Sequence, residues 1–183
     1  MSTPSPSPTP AASPTLTAAH APVLRTATVA DLPAIERLLA ATGLPAAGVA
    51  DVFAAAPDDF VVADDPHAPG ELVAVAGLEV RCDGTPAANA LLRSVAVHPA
   101  WRAHGLGQAL VRRVVCQAEA RGLRALYLLT TTAEHYFPRF GFAAVARDAV
   151  PAEIAATLEF RSACPASAVA MAKPLGAGAA MHA

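Results

Sequence analysis

The residue types best placed for chemistry in this 183-residue chain are Arg102, Gly105 and Gly107, an Arg-x-x-Gly-x-Gly spacing that follows the apolar run 91–97 and opens an amphipathic helix. The first backbone N–H groups of a helix lack intrahelical partners, and the helix dipole concentrates about half a positive charge there. Gly105 and Gly107 carry no Cβ to hold an anion off the backbone, and Arg102 adds a planar fork of donors. Such a pocket suits a pyrophosphate. A lone Gly-x-Gly also serves an ordinary strand-to-helix turn. Two nucleotide motifs are excluded: the Gly-Lys-Ser/Thr of a Walker A loop is absent, and Leu110 stands where a Rossmann fingerprint requires its third glycine.

Other polar residues interrupt apolar runs. Glu79 ends the run 72–79. A carboxylate there either faces a cleft and takes a proton through water or faces solvent, because strand side chains alternate. Arg93 and Ser94 break the run 91–97, and Arg161 follows Phe160. An arginine in a strand needs an acidic partner when buried, which is either an anionic substrate or an internal Asp or Glu. Thr130 closes the run 123–130, where its hydroxyl either orients a ligand or caps the next helix. Cys82, Cys116 and Cys164 are odd in number and far apart, without a Cys-x-x-Cys pair. Neither a disulfide framework nor a structural metal is expected.

These residues need elements to hold them. Residues 24–28 read as a strand, and Thr28-Val-Ala-Asp31 as a capping box for a helix with Leu32, Ile35, Leu38 and Leu39 on one face, stopped by Gly43. A second helix is expected over 46–56, strands over 60–63, 72–80 and 91–97, and a helix over 105–121. A strand over 123–130, a short helix over 133–140, a strand over 142–147, a helix from Pro151 to about 158 and a strand over 166–172 complete the chain. The order β-α-α-β-β-β-α-β-α-β-α-β points to an α/β or α+β domain.

Composition limits the classes. Hydrophobic residues make up 54%, much of it alanine, and no apolar run reaches the roughly 18 residues that span a bilayer. The net charge of −2 leaves no basic footprint for nucleic acid, although twelve of the thirteen basic residues are arginine. Residues 1–21 form a Ser/Thr/Pro-rich tail without the regions of a signal peptide, read as a flexible extension. One domain over 22–174 and a short flexible tail over 175–183 are expected. With three scattered cysteines and no membrane segment, a reducing cytoplasm is the expected location.

On Arg102, Gly105 and Gly107 after the strand 91–97, the chain resembles the GCN5-related N-acetyltransferases (GNAT) from about residue 24 to 173. The resemblance implies a mixed, mostly antiparallel sheet of about seven strands with a splayed parallel pair and flanking helices, and acetyl-CoA as co-substrate without a metal. The backbones of Val95 and Val97 would bond the pantetheine lying in the splay. Arg102, Ala103, His104, Gly105, Leu106 and Gly107 would hold the pyrophosphate, mainly by backbone N–H. Phe137 would also stand beside the cofactor, and His104 would be a solvated loop residue near the phosphates.

The family's acidic tyrosine lies four residues before a Gly-Phe pair; here Gly141-Phe142 puts Phe137 there and Tyr136 one step earlier. One residue is about 100° around a helix, so either Tyr136 or water protonates the departing thiolate. Glu79 would be the base, and Arg93, Ser94, Thr130 and Arg161 would face the acceptor. The stretches 91–97, 127–132 and 159–169 are similar to acetyltransferases associated with arsenic-resistance operons, implying an amino-acid-like amine carrying an arsenical or phosphinic group, and a role in detoxification. Cys164 would lie at the acceptor end. The rivals are a peptide or protein acetyltransferase and a catalytically silent acyl-CoA-binding module; the family also implies a homodimer.

Overall fold

The computed structural model describes residues 21–84, 88–163, 165 and 167–176; nearly all of the expected N-terminal tail, most of the C-terminal one and Cys164 lie outside the described residues. The strands are β1 (Leu24–Thr26), β2 (Phe60–Asp64), β3 (Leu72–Arg81), β4 (Asn89–Val97), β5 (Ala125–Thr130), β6 (Ala143–Val145) and β7 (Val169–Pro174). The helices are α1 (Leu32–Thr42), α2 (Val49–Ala55), α3 (Leu106–Ala120) and α4 (Ala152–Ala155).

The seven strands form one sheet in the order β1-β2-β3-β4-β5-β7-β6. Every neighbouring pair is antiparallel except β4 and β5. The first eight residues of β3 are all buried, the pattern of a strand covered on both faces. On one face α3 buries Leu106, Leu110, Val111, Val114, Val115 and Ala118. The other face is covered by α1 and α2 around Ile35, Leu39, Val49 and Phe53, and farther along by Val150 and Ile154.

Two irregularities shape the centre of the sheet. The parallel ladder between β4 and β5 holds only from Asn89↔Ala125 to Leu91↔Tyr127, after which the strands part. Opposite β3 the register slips: Gly77 faces Arg93 while Val75 faces Ala96, so Ser94 and Val95 together face Ala76. This is a β-bulge, and Ser94 adopts φ 57° there. The bulge reverses the alternation of β4. Ala90 and Leu92 pack on the α3 face before it, and Val95 and Val97 after it.

The ends of several elements differ from the sequence expectation. The helix expected over 133–140 is a 3₁₀ turn, Phe137–Phe140, in which Pro138 lacks the N–H that a longer helix would use. The helix expected from Pro151 to 158 ends at Ala155 and is followed by a π-turn, Glu159–Ala163. The folded region also runs past 174, because Leu175 is buried and its N–H bonds the Arg124 carbonyl at 2.9 Å. Near the start, the Thr28 N–H bonds Asp31 Oδ2 at 2.7 Å, and Arg25 forks between Asp31 and Asp64 at 2.8 and 2.7 Å.

Candidate active site

Where β4 ends, the chain makes a 3₁₀ turn, Pro99–Trp101, and reaches α3 through Ala103 at φ 66° and Gly105 at φ 78°. A left-handed alanine is strained backbone of the kind that clusters at ligand sites. Here stands a cavity of about 400 Å³ lined by Val97, Arg102, Ala103, Gly105, Gly107, Gln108, Tyr136 and Arg139. Arg102 is aimed by its Nε, which donates to the Val97 carbonyl at 3.2 Å. A Cβ on Gly107 would sit 3.1 Å from the Tyr136 hydroxyl and 3.4 Å from Val97 Cγ2, so any larger residue fills the cradle.

Open helix N–H groups, a glycine floor and two guanidinium groups fit the pyrophosphate of acetyl-CoA. The gap beyond Leu91 and Tyr127, next to half-buried Val95 and Val97, fits an extended amide chain. Leu106 offers this site only its backbone, since its side chain is buried in the core. His104 is exposed and lies edge-on to Trp101, its ring centroid 6.5 Å away.

The short turn before Gly141 sorts the two aromatic candidates. Phe137 is buried and packs against Phe142 at 5.8 Å, so its side chain belongs to the core rather than to the cofactor surface. Tyr136 lines the cavity, held edge-to-face by Phe137 and Phe140 at 5.4 and 5.3 Å. Burial raises the pKa of its hydroxyl above the usual tyrosine value, which keeps it protonated as a donor. That hydroxyl stands beside Gly107 and Val97, at the α3 end of the cavity. Arg139 and Gln108 are lining residues that the motif did not single out. Arg139 follows Tyr136 by three residues, the spacing of helical neighbours, and its guanidinium lies 4.7 Å above the tyrosine ring.

Across the sheet the expected base, Glu79, and one expected acceptor residue, Arg93, are engaged with each other. Arg93 and Glu79 are 2% and 4% exposed. Arg93 Nη1 donates to Glu79 Oε2 at 2.5 Å, Nη2 donates to the Ala47 carbonyl at 2.9 Å, and Nε lies 3.5 Å from Glu159 Oε2. Arg81 binds the other oxygen of Glu79. Of the two partners open to Arg93, the structure supplies the internal one. Glu79 is neither solvent-facing nor free; it borders a separate hollow of about 480 Å³ with Asp51, Asp59, Arg81 and Arg121. Both oxygens of Glu79, the residue expected as base, are thus held by arginine.

Thr130 Oγ1 accepts the Ala133 N–H at 2.9 Å, the capping alternative. Ser94 is half-buried on the bulge, and Arg161 is exposed on the π-turn. On this side of the sheet an apolar wall forms where Tyr127, Leu129 and Phe160 pack against the buried cluster of Leu91, Val150, Ile154 and Ala170. Among the described residues no cluster of His, Cys, Asp or Glu could hold a metal ion, and no helix is long and apolar enough to cross a membrane.

This arrangement of sheet, splay and helix N-terminus is that of proteins solved with coenzyme A. N-acetylglutamate synthase from Neisseria gonorrhoeae, complexed with coenzyme A and N-acetyl-glutamate, superposes with a TM-score of 0.66 at 20% identity, over 84% of this chain and 35% of that one. A Mycobacterium tuberculosis protein, Rv2747, in complex with CoA, gives a TM-score of 0.67 at 27% identity, over 84% of this chain and 99% of that one. In sequence, an amino-acid acetyltransferase of Mycobacterium tuberculosis is 32% identical over 136 residues, covering 73% of this chain and 75% of that protein. An amino-acid acetyltransferase of Serratia proteamaculans is 44% identical over 59 residues, but the match spans only 13% of that relative's length. The model of the acetyltransferase (GNAT) domain matches residues 56–144. The chain belongs to the GNAT acetyltransferase family.

Proposed function

We propose that this protein is an acetyl-CoA-dependent N-acetyltransferase acting on the primary amine of a small, amino-acid-like molecule. The observation that carries this reading is the cavity at the start of α3, which stands at the end of β4 where that strand has parted from β5 beyond Leu91 and Tyr127. Bound acetyl-CoA supplies an activated thioester. The chain's own part is positioning. The start of α3, Arg102 and Arg139 hold the pyrophosphate, and the backbone of Val95 and Val97 aligns the pantetheine. Holding an amine against a thioester in attack geometry supplies a large share of acceleration without a dedicated acid.

Tyr136, at the α3 end, steadies the donor, and the departing thiolate takes its proton from water. Glu79 anchors Arg93 beneath the acceptor wall, and the amine loses its proton to water. Within this reading, the similarity of 91–97, 127–132 and 159–169 to arsenic-resistance-associated acetyltransferases makes arsenical and phosphinic amino acids the first acceptors to try, in a detoxifying role.

The test is release of free CoA thiol from acetyl-CoA across carboxylic, phosphinic and arsenical amino acids and a set of peptides. Turnover with one or more free amino acids is expected. Turnover on peptides alone, or tight acetyl-CoA binding without turnover on anything, overturns the proposal in favour of a protein acetyltransferase or a silent module.

A further inference from the structure

We propose that Arg147 receives the anionic group of the acceptor, an inference that rests on the small-amine reading above. Arg147 opens the 3₁₀ turn Arg147–Ala149, two residues past the end of β6. Its Nε and Nη2 are shut off from solvent and have no hydrogen-bond partner among the described residues. Those two nitrogens form one edge of the guanidinium, the fork that meets a carboxylate or phosphinate with two parallel hydrogen bonds. Buried donors without partners are costly, and each one calls for an explanation.

Among the described residues it meets an aromatic face and no carboxylate. The guanidinium lies 5.6 Å from the centroid of the Phe160 ring, a cation–π contact that offsets part of the desolvation. Nearby carboxylates are committed or turned outward. Glu153 Oε1 accepts from Asn89 Nδ2 at 2.7 Å, Glu159 lies against Arg93, and Asp148 is exposed.

Phe160 ties this fork to the reaction path. It packs into the cluster that contains Leu91, Tyr127 and Leu129. Leu91 and Tyr127 are also the last rung before β4 and β5 separate. Arg147 is thus placed on the acceptor side of the vertex with two open nitrogens, whereas Arg93 is held internally through both terminal nitrogens, with its Nε 3.5 Å from Glu159, and Arg161 stands exposed. Reaching the fork requires the Phe160 ring to move, and Phe160 rides on a π-turn, a local irregularity common at functional sites.

The experiment compares the wild type with Arg147→Met and Arg147→Lys, whose melting temperatures establish that both fold. Steady-state kinetics are measured for each accepted amino acid and for its α-carboxamide. Arg147→Met is expected to raise KM for the anionic acceptor about 100-fold, the worth of a charge-assisted pair, with KM for acetyl-CoA and for the carboxamide unchanged and partial recovery in Arg147→Lys. Equal changes for acid and amide, or no change for either, overturn the role of Arg147. Absence of turnover by the wild type overturns the functional reading instead. Calorimetry of L-glutamate binding to the CoA-loaded protein then judges Arg147 separately: weaker binding by Arg147→Met supports the assignment, and equal or absent binding in both overturns it.

Discussion

The two sides of the gap between β4 and β5 are built from different materials. On the α3 side the surface is mostly backbone: helix N–H groups, the left-handed Ala103 and Gly105, and the bare floor at Gly107. On the far side the support is a buried set of charged side chains, with Arg93 between Glu79 and Glu159. Backbone surfaces tolerate changes in side-chain type but fail when volume is added. Charge clusters tolerate almost nothing, because removing one member strands another in the interior. In the proposed function the family's common donor falls to the robust half, and the acceptor to the half in which single residues matter.

The sharpest way to break this contrast is Glu79→Ala, which leaves Arg93 buried beside a single, more distant carboxylate. A loss of about 3–5 kcal/mol is expected, a fall of roughly 10 °C in Tm for a domain of this size. An unchanged Tm with kcat reduced about 100-fold would return Glu79 to the role of base. On the donor side, Gly107→Val should weaken acetyl-CoA binding about 100-fold, measured by calorimetry, while Tm stays within a few degrees. Unaltered binding would show that the cradle does not hold the donor.

Tyr136→Phe should act mildly, raising KM for acetyl-CoA a few-fold with little change in kcat. The raised pKa of the hydroxyl predicts no loss of activity from its ionisation below about pH 10. A fall of 100-fold in kcat, with loss of a basic limb in the pH profile, would make Tyr136 the acid. The smallest effect is expected outside both halves. Arg25 holds the Asp31 carboxyl down to about 2, below the roughly 3.9 of an unfolded chain. That pair stabilises fully above about pH 4, and its contribution disappears as the pH falls toward 2. Asp31→Asn should therefore cost on the order of 1 kcal/mol at neutral pH and flatten the acid limb of stability measured by urea titration.

The same contrast decides what could be read from the sequence. The donor turn was legible because it is local: Arg102, Gly105 and Gly107 lie within six residues, and their types dictate the backbone. The strand order and the splayed pair came with the resemblance that those residues carried. Arg93 was visible as an anomaly, but its partners were not, because Glu79 reaches it through strand pairing and Glu159 through the packing of the π-turn. Phe137 and Tyr136 were ordered only by the 3₁₀ turn at Pro138, which shifts each residue's direction from that of an α-helix. Arg147 gave no signal at all, since an arginine after a short strand is ordinarily a surface residue.

The bulge at Ser94 also sets a rule for anyone altering this protein. Because β4 carries one more residue than its neighbour, even-numbered positions before the bulge and odd-numbered positions after it look toward the same side of the sheet. A library that randomises every second residue of β4 would begin by remodelling the α3 core and end by remodelling the opposite face. Removing a single residue at the bulge would carry Val95 and Val97 away from the α3 side, where the donor is proposed to lie, while every amino acid kept its chemical character.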